Sequence, residues 1–302
     1  KKVDEEALYQ ACRHQVSHRL GEKATLIQPS YGWEDLIRPP EHKQVLRNAC
    51  NQIEYAHQVY GTWGFSTKMA YGRGVSMLFY GPPGTGKTMG AQVLARELHL
   101  ELYKADLSCV MSKYIGETEK NLGEIFEEVK KSQSILFFDE ADALFGKRSE
   151  VKDAQDKYAN AETAYLLQKM EEYEGIVILA TNYMQNFDEA FKRRIRFMIE
   201  FPLPDAGRRR QIWQRVYPKE TPVSEEVDFD FLADQFELSG SSIKNIAVSA
   251  AFRAAAAGTE IEMGQILDCL REEMKKSGKN LQKEDFGPYY SLMNGKGELE
   301  DA

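Results

Sequence analysis

Residues 81–88 read GPPGTGKT and follow directly on the apolar run VSMLFY at 75–80. A short apolar run closed by glycine and proline is a buried strand, and the glycines after it let the backbone curl until several N–H groups point inward. Between a strand and a helix, such a curl cradles phosphate, because the N–H groups and the positive end of the helix both favour an anion. The G-x-x-x-x-G-K-T spacing brings Lys87 to the β- and γ-phosphates of a nucleotide and the Thr88 hydroxyl to Mg²⁺. Pro83, Gly84, Thr85, Gly86 and Met89 complete the loop and the first helical turn. The alternative is a glycine-rich turn that holds no ligand.

Further along, apolar runs alternate with helical stripes. Strands are expected at 75–80, near Glu101–Ala105, at Ser134–Phe138, at Gly175–Thr181 and at Met198–Phe201. Ser134–Phe138 is apolar almost throughout, as a strand buried on both faces should be. Between them lie a helix carrying Val93, Leu94 and Leu98, one with Leu122, Ile125, Phe126 and Val129 at i, i+3, i+4, i+7, and a long one around 154–173. This alternation implies a parallel sheet with helices on both faces. Upstream, a helix is expected from Glu41 to about Gln58. Residues 21–40, with Gly21, Pro29, Gly32, Pro39 and Pro40, read as a connector. Residues 4 to about 20 carry a modest helical stripe.

After Phe201-Pro202-Leu203-Pro204-Asp205 only helical signals follow, with Asp205 placed to cap the first of them. The expected organisation is an N-terminal helix and linker at 1–30, a nucleotide-binding α/β domain at 31–204, a small all-helical lid at 205–277 and a C-terminal extension at 278–302, frayed from Asn294. The chain begins KKVDEE without methionine, so a longer N-terminal region is expected upstream.

The formal net charge of −8 argues against a surface that coats nucleic acid. No apolar stretch approaches membrane-spanning length. Cys12, Cys50, Cys109 and Cys269 are scattered, with no CxxC pair, and fit buried, reduced thiols of a cytoplasmic protein.

Asp139 and Glu140 end the buried strand at 134–138, and a carboxylate at that edge faces the same crevice as the phosphate loop. Asp139 is expected to hold Mg²⁺ through water, and Glu140 to orient the attacking water or take its proton. An acidic cap for the following ADALFGKR turn is the other reading. Asn182, after Thr181, falls where it can hydrogen-bond both a γ-phosphate and its water; it could instead simply form a turn. The segment 187–197, FDEAFKRRIRF, holds Lys192, Arg193, Arg194 and Arg196. Such a run is usually a solvated face. At a domain edge it also suits an arginine delivered in trans to a γ-phosphate, which is worth about 10³–10⁵ in rate.

Taken in order, GPPGTGKT, ILFFDE (135–140), ATN (180–182), the arginine-rich segment and FPLP before a helical lid resemble the AAA+ ATPases, in the AAA clade that includes membrane-fusion, filament-severing and protein-unfolding machines. The resemblance covers about residues 31–277. It implies a P-loop NTPase fold with a parallel five-stranded sheet of order 5-1-4-3-2, a four-helix lid and a homo-oligomeric ring, usually a hexamer. By position it implies that Lys87 and Thr88 bind ATP and Mg²⁺, that Asp139 and Glu140 are the Walker B acids, that Asn182 is the first sensor and that Arg193 and Arg196 are the paired arginine fingers. Ile195 departs from the glycine often found before the second arginine, with Arg194 as the reserve. Gly240 and Ser241, in the small-residue second sensor, would line adenine and ribose, and Leu36 and Ile37 would read adenine through backbone groups.

The resemblance also implies that Tyr114 and Ile115, in KYIGE, form a pore loop that grips a translocating polypeptide client; packing of Tyr114 on its own domain is the alternative. Lys147, Arg148 and Lys152 lie in a second loop that would face the pore or solvent. The segments SKYIGETEKN, FGKRSEVKDAQDKYAN and LLQKMEEYEGI are similar to bacterial AAA ATPases encoded beside contractile injection systems. That likeness suggests a bacterial source and an assembly role on a phage-tail-like particle. His14 and His18 at i, i+4 lack an intervening Glu and a third ligand, which leaves a surface helix as the reading for them.

Overall fold

In the computed structural model, the described residues are 23–68, 72–110, 116–132, 134–143, 154–187 and 189–293. The chain divides into two compact units, Lys1–Pro82 with Gly86–Phe201, and Pro83–Thr85 with Pro202–Ala302.

The first unit is built on a sheet of β1 (Thr25–Ile27), β2 (Val75–Tyr80), β3 (Leu102–Asp106), β4 (Ile135–Asp139), β5 (Ile176–Thr181) and β6 (Phe197–Glu200). Their spatial order is β1-β3-β4-β5-β2-β6. Read from β6, the five parallel strands run in the expected order; the sheet has six strands because β1 adds an antiparallel strand beside β3. All six residues of β5 are buried, as the strand between β4 and β2 must be.

Side-chain alternation assigns each face of the sheet its own core. Leu78, Leu136, Phe138, Val177 and Leu179 pack with Leu122, Ile125, Phe126 and Val129 of α3 (Glu117–Ser132) and with Leu166, Leu167 and Met170 of α4 (Ala154–Glu172). Met77, Phe79, Phe137, Ile178 and Ala180 pack on the other face with Leu46 and Ala49 of α1 (Pro40–Glu54) and Ala91, Val93 and Leu94 of α2 (Lys87–Glu97). Each such large apolar side chain removed from water stabilises by about 1.5–3 kcal/mol. The helix ends suit the dipole: Pro40 opens α1, while α3 carries Glu117 and Glu119 in its first turn and Lys130 and Lys131 in its last.

Two local expectations change here. The connector at 21–40 contains β1, whose three residues answer the backbone groups of β3 at the sheet edge. The helix expected to reach about Gln58 ends at Glu54, and residues His57–Thr62 form a wider π-helical segment before Gly64, at φ 74°, turns the chain away.

The second unit is helical. Its helices are α5 (Ala206–Val216), α6 (Phe229–Gln235), α7 (Gly240–Ala257) and α8 (Met263–Lys276). Asp205 caps α5 by accepting from Arg208 N at 2.8 Å, and Ser239 caps α7 by accepting from Ser242 N at 3.2 Å. Glu262 and Gln265 close a reciprocal capping box on α8. Trp213 is wholly buried at the centre, among Leu232, Ile243, Ile246, Ile266 and Leu270. The chain beyond 277 belongs to this core as well: a 3-10 segment, Lys283–Leu292, brings in Phe286, and Met293 follows it. The helical stripe before residue 21 and the tail from Asn294 lie outside the described residues.

Because Phe286 is fully buried beside Phe236, Phe286→Ala is expected to lower the second unit's unfolding free energy by about 3–5 kcal/mol. Denaturant titration followed by circular dichroism measures this; a loss under about 1 kcal/mol would make residues 283–293 a peripheral arm.

Candidate functional site

Gly81 and Gly86 shape the strand–loop–helix at the heart of the first unit. Gly81 has φ 141°, and a Cβ there would stand 2.2 Å from the Phe201 carbonyl oxygen, so any side chain would collide with backbone. Gly86 has φ 96° and sits as N-cap of α2, a left-handed turn that leaves the first-turn N–H groups without a side-chain cap. Those groups and the helix dipole make the loop an anion cradle.

Lys87 folds back into this loop. Its Nζ donates to Gly81 O at 2.7 Å, to Pro82 O at 3.0 Å and to Asn182 Oδ1 at 2.8 Å. Burial pushes its pKa down, and the carboxylates of Asp139 and Asp142 push it back up. Thr88 and Met89 are half-buried in the first turn of α2.

The acids stand where β4 ends. Asp139 is half-buried: Oδ1 accepts from Glu140 N at 3.1 Å, and Oδ2 pairs with Lys104 Nζ on β3 at 2.7 Å. Glu140 is exposed and has φ 52°, an unusual left-handed backbone for a residue with a side chain. Asp142, in the 3-10 turn Ala141–Ala143, reaches across to the end of β5. Its Oδ1 accepts from Thr181 Oγ1 at 2.8 Å and from Asn182 N at 3.2 Å. Thr181 Oγ1 in turn accepts from Tyr183 N at 3.0 Å. Asn182 is therefore held at both ends, by Asp142 through its backbone and by Lys87 through its side chain.

Residues 77–204 match the family described as "ATPase family associated with various cellular activities (AAA)". The chain carries an AAA-family ATPase domain. It is 34% identical over 240 residues to "Protein SAV" of Sulfolobus acidocaldarius, covering 77% of this chain and 30% of that protein. It is 33% identical over 218 residues to the "Proteasome-activating nucleotidase" of Saccharolobus islandicus, covering 69% of this chain and 55% of that one. Against the "Cell division cycle protein 48 homolog" of Archaeoglobus fulgidus it is 39% identical over 162 residues, 52% of this chain and 22% of the relative. The chain thus spans between about a fifth and a little over half the length of these relatives. All three are archaeal, and none supports the expected bacterial source or the likeness to contractile-system ATPases.

In the AAA domain, the structure brings Lys87, Asp139, Glu140 and Asn182 together at the C-terminal edge of the sheet. Leu36 is buried in the core under α1 and α2, while Ile37 is half-buried with its N–H bonded to Asp35 O at 3.1 Å. In the second unit, Gly240 and Ser241 open α7, and Ser241 N donates to Gly84 O at 3.1 Å. Arg193 is exposed; Arg194 pairs with Glu171 at 2.9 Å; Arg196 directs its guanidinium at the carbonyls of Gly72 and Gly74, both at 3.4 Å. Ile195 is buried with Phe187 and Phe191, so the residue in place of glycine anchors the segment. Tyr114, Ile115, Lys147, Arg148, Lys152, His14, His18 and Cys12 lie outside the described residues.

The oxygen donors Thr88 and Asp139 fit a hard cation such as Mg²⁺. Among the described residues no cluster of three or more His, Cys, Asp or Glu could hold a metal by itself. Cys50 and Cys269 are buried free thiols pushed up to about 12 and about 11, and so unreactive. No described helix is long and apolar enough to cross a membrane.

Sequence reasoning missed Lys104 and Asp142. The only sign of Asp142 was a third acid close behind Asp139-Glu140, and its partners lie 39 and 40 residues away. Asp142→Ala leaves the buried Thr181 hydroxyl and Asn182 N–H without their acceptor and is expected to cost about 1–3 kcal/mol of stability. Asp142→Asn keeps an acceptor and should recover most of the loss. Equal destabilisation of both variants in thermal melts would show that the charge, not the hydrogen bonds, matters.

Proposed function

We propose that this protein hydrolyses ATP at a site completed by a neighbouring copy in a ring, hexameric as in the resemblance, and uses the energy to remodel, unfold or thread a protein substrate. The observation that carries this reading is the hydrogen bond from Lys87 Nζ to Asn182 Oδ1, which joins the phosphate loop to the end of β5 beside the paired acids of β4.

In this reading Lys87 and the loop N–H groups bind the β- and γ-phosphates. Thr88 and Asp139 would hold Mg²⁺, which would neutralise phosphate charge when bound. Asn182 positions a water against the γ-phosphorus. As the water oxygen bonds to phosphorus, its proton passes to the Glu140 carboxylate and the bond to the bridging oxygen breaks, leaving ADP and phosphate. Backbone groups of Leu36 and Ile37 receive the adenine. Arg193 and Arg196, with Arg194 in reserve, come from the neighbouring copy to the γ-phosphate. Tyr114 and Ile115 grip an extended polypeptide in the pore. The relatives' names support the protein-remodelling class: one is a proteasome-activating nucleotidase.

A second reading is a nucleotide-dependent factor that assembles or releases a phage-tail-like particle without threading. It rests on the three sequence segments quoted above.

Glu140→Gln is expected to bind ATP and lower turnover by about 10²–10⁴-fold. Arg193→Ala should be inactive as well. Mixed, the two variants should recover turnover, because an Arg193→Ala copy keeps its own Glu140 and takes Arg193 from its neighbour. A mixture as inactive as its parts would overturn the shared site.

Tyr114→Ala should abolish the rise in ATP turnover caused by an unfolded test polypeptide. Undiminished stimulation in that variant removes the threading reading in favour of the assembly factor.

A further inference from the structure

The ion pair between Lys104 and Asp139 has no part in the chemistry above, and it occupies the carboxylate to which that chemistry gives the metal. Lys104 lies on β3, in register with Phe137, two residues before Asp106, which is itself in register with Asp139. Leu102 and Phe137 belong to the core on the α2 side, so the alternation of both strands sends Lys104 and Asp139 to the face that carries the phosphate-loop helix. There the ammonium sits 2.7 Å from Oδ2, while Glu140 N donates to Oδ1. Each carboxylate oxygen thus already has a donor. The pair is neither a surface contact nor a buried one, with side chains 36% and 24% exposed, so solvent screens it only in part.

We propose that Lys104 sets the metal affinity of the site by competing with the divalent cation for the charge of Asp139. The inference rests on the reading of Asp139 as the metal-holding acid. Two cations drawn to one carboxylate repel each other, and whichever holds it lowers the affinity of the other. With Lys104 in place, Asp139 alone attracts a divalent ion weakly, and tight loading waits for the added charge of nucleotide phosphates. Lys87 also lies in the field of Asp139, together with that of Asp142.

The test is direct titration of Mn²⁺ by electron paramagnetic resonance in the presence of saturating ADP, which reads metal binding without turnover. Lys104→Met keeps the length of the side chain and removes its charge. It should tighten Mn²⁺ by about threefold at low ionic strength, the size expected of a partly exposed ion pair, with a smaller gain at high salt. Lys104→Gln should shift affinity in the same direction, and Lys104→Arg should stay at the wild-type value. ADP binding in EDTA confirms that each variant is folded. Unchanged or weaker Mn²⁺ binding in both neutral variants overturns the role of Lys104. Asp139→Asn separates the two levels: if it abolishes Mn²⁺ binding while the Lys104 variants do nothing, only the present inference falls. If Asp139→Asn binds Mn²⁺ as the wild type does, the metal reading falls and this one with it.

Discussion

The parallel pairing of β2 with β5 is the constraint on which the site rests. Tyr80 stands opposite Thr181 in that register, so the two strands end level and their next residues enter the same space. Gly81 and Pro82 follow one strand and Asn182 the other, and all three supply acceptors to Lys87 Nζ. A slip of one residue would turn every side chain of one strand to the opposite face and separate these groups. The register is secured by side chains far from the chemistry: Met77, Phe79, Ile178 and Ala180 on one face, Leu78, Val177 and Leu179 on the other. Hydrophobic burial at the middle of the sheet thereby sets polar geometry at its edge.

That geometry in turn governs charge. Burial alone pushes Lys87 toward its neutral form, and Asp139 and Asp142 oppose the shift. The acids of the site therefore serve the lysine as well as any metal, and Asp142 does so while holding Thr181 and Asn182. A cost accompanies this crowding: Glu140 sits in a left-handed backbone conformation just where the strand ends. For a residue with a Cβ this costs about 1–3 kcal/mol and persists where surrounding contacts over-determine it. Here Asp139 accepts from the Glu140 N–H on one side, and Asp142 anchors the next turn on the other.

The parallel strands were legible because a strand buried on both faces is an uninterrupted apolar run, and the phosphate loop because its glycines follow such a run. Asp139 was marked as the end of an apolar strand, Glu140 and Asn182 as the residues just past strand ends, and Lys87 by the glycine loop before it. β1 was not: Leu26 is 39% exposed, and the strand is held by main-chain pairing that carries no side-chain pattern. The segment 283–293 was hidden because Gly287, at φ 49°, and Pro288 break the helical period that would announce Phe286 as core. Lys104 and Asp142 escaped for a third reason. A polar pair between strands or turns depends on register, and no local spacing encodes it. Sequence patterns marked the glycine loop and the polar residues at strand ends; the partners that hold them depend on the fold.

The arginine segment shows how the two kinds of information combine. Sequence alone offered a basic run, most simply a solvated face. In the fold its backbone is stapled to β2: Arg196 N donates to Ser76 O and Oγ, both at 3.1 Å, and Ser76 Oγ donates to the Arg194 carbonyl at 3.1 Å. Ile195, buried with Phe187 and Phe191, pins the segment from the other side. β2 is the strand that runs into the phosphate loop, so the arginine segment and the loop are joined to the same strand. A flexible basic tail would lose the entropy of ordering each time it met a phosphate; a stapled one has already been positioned.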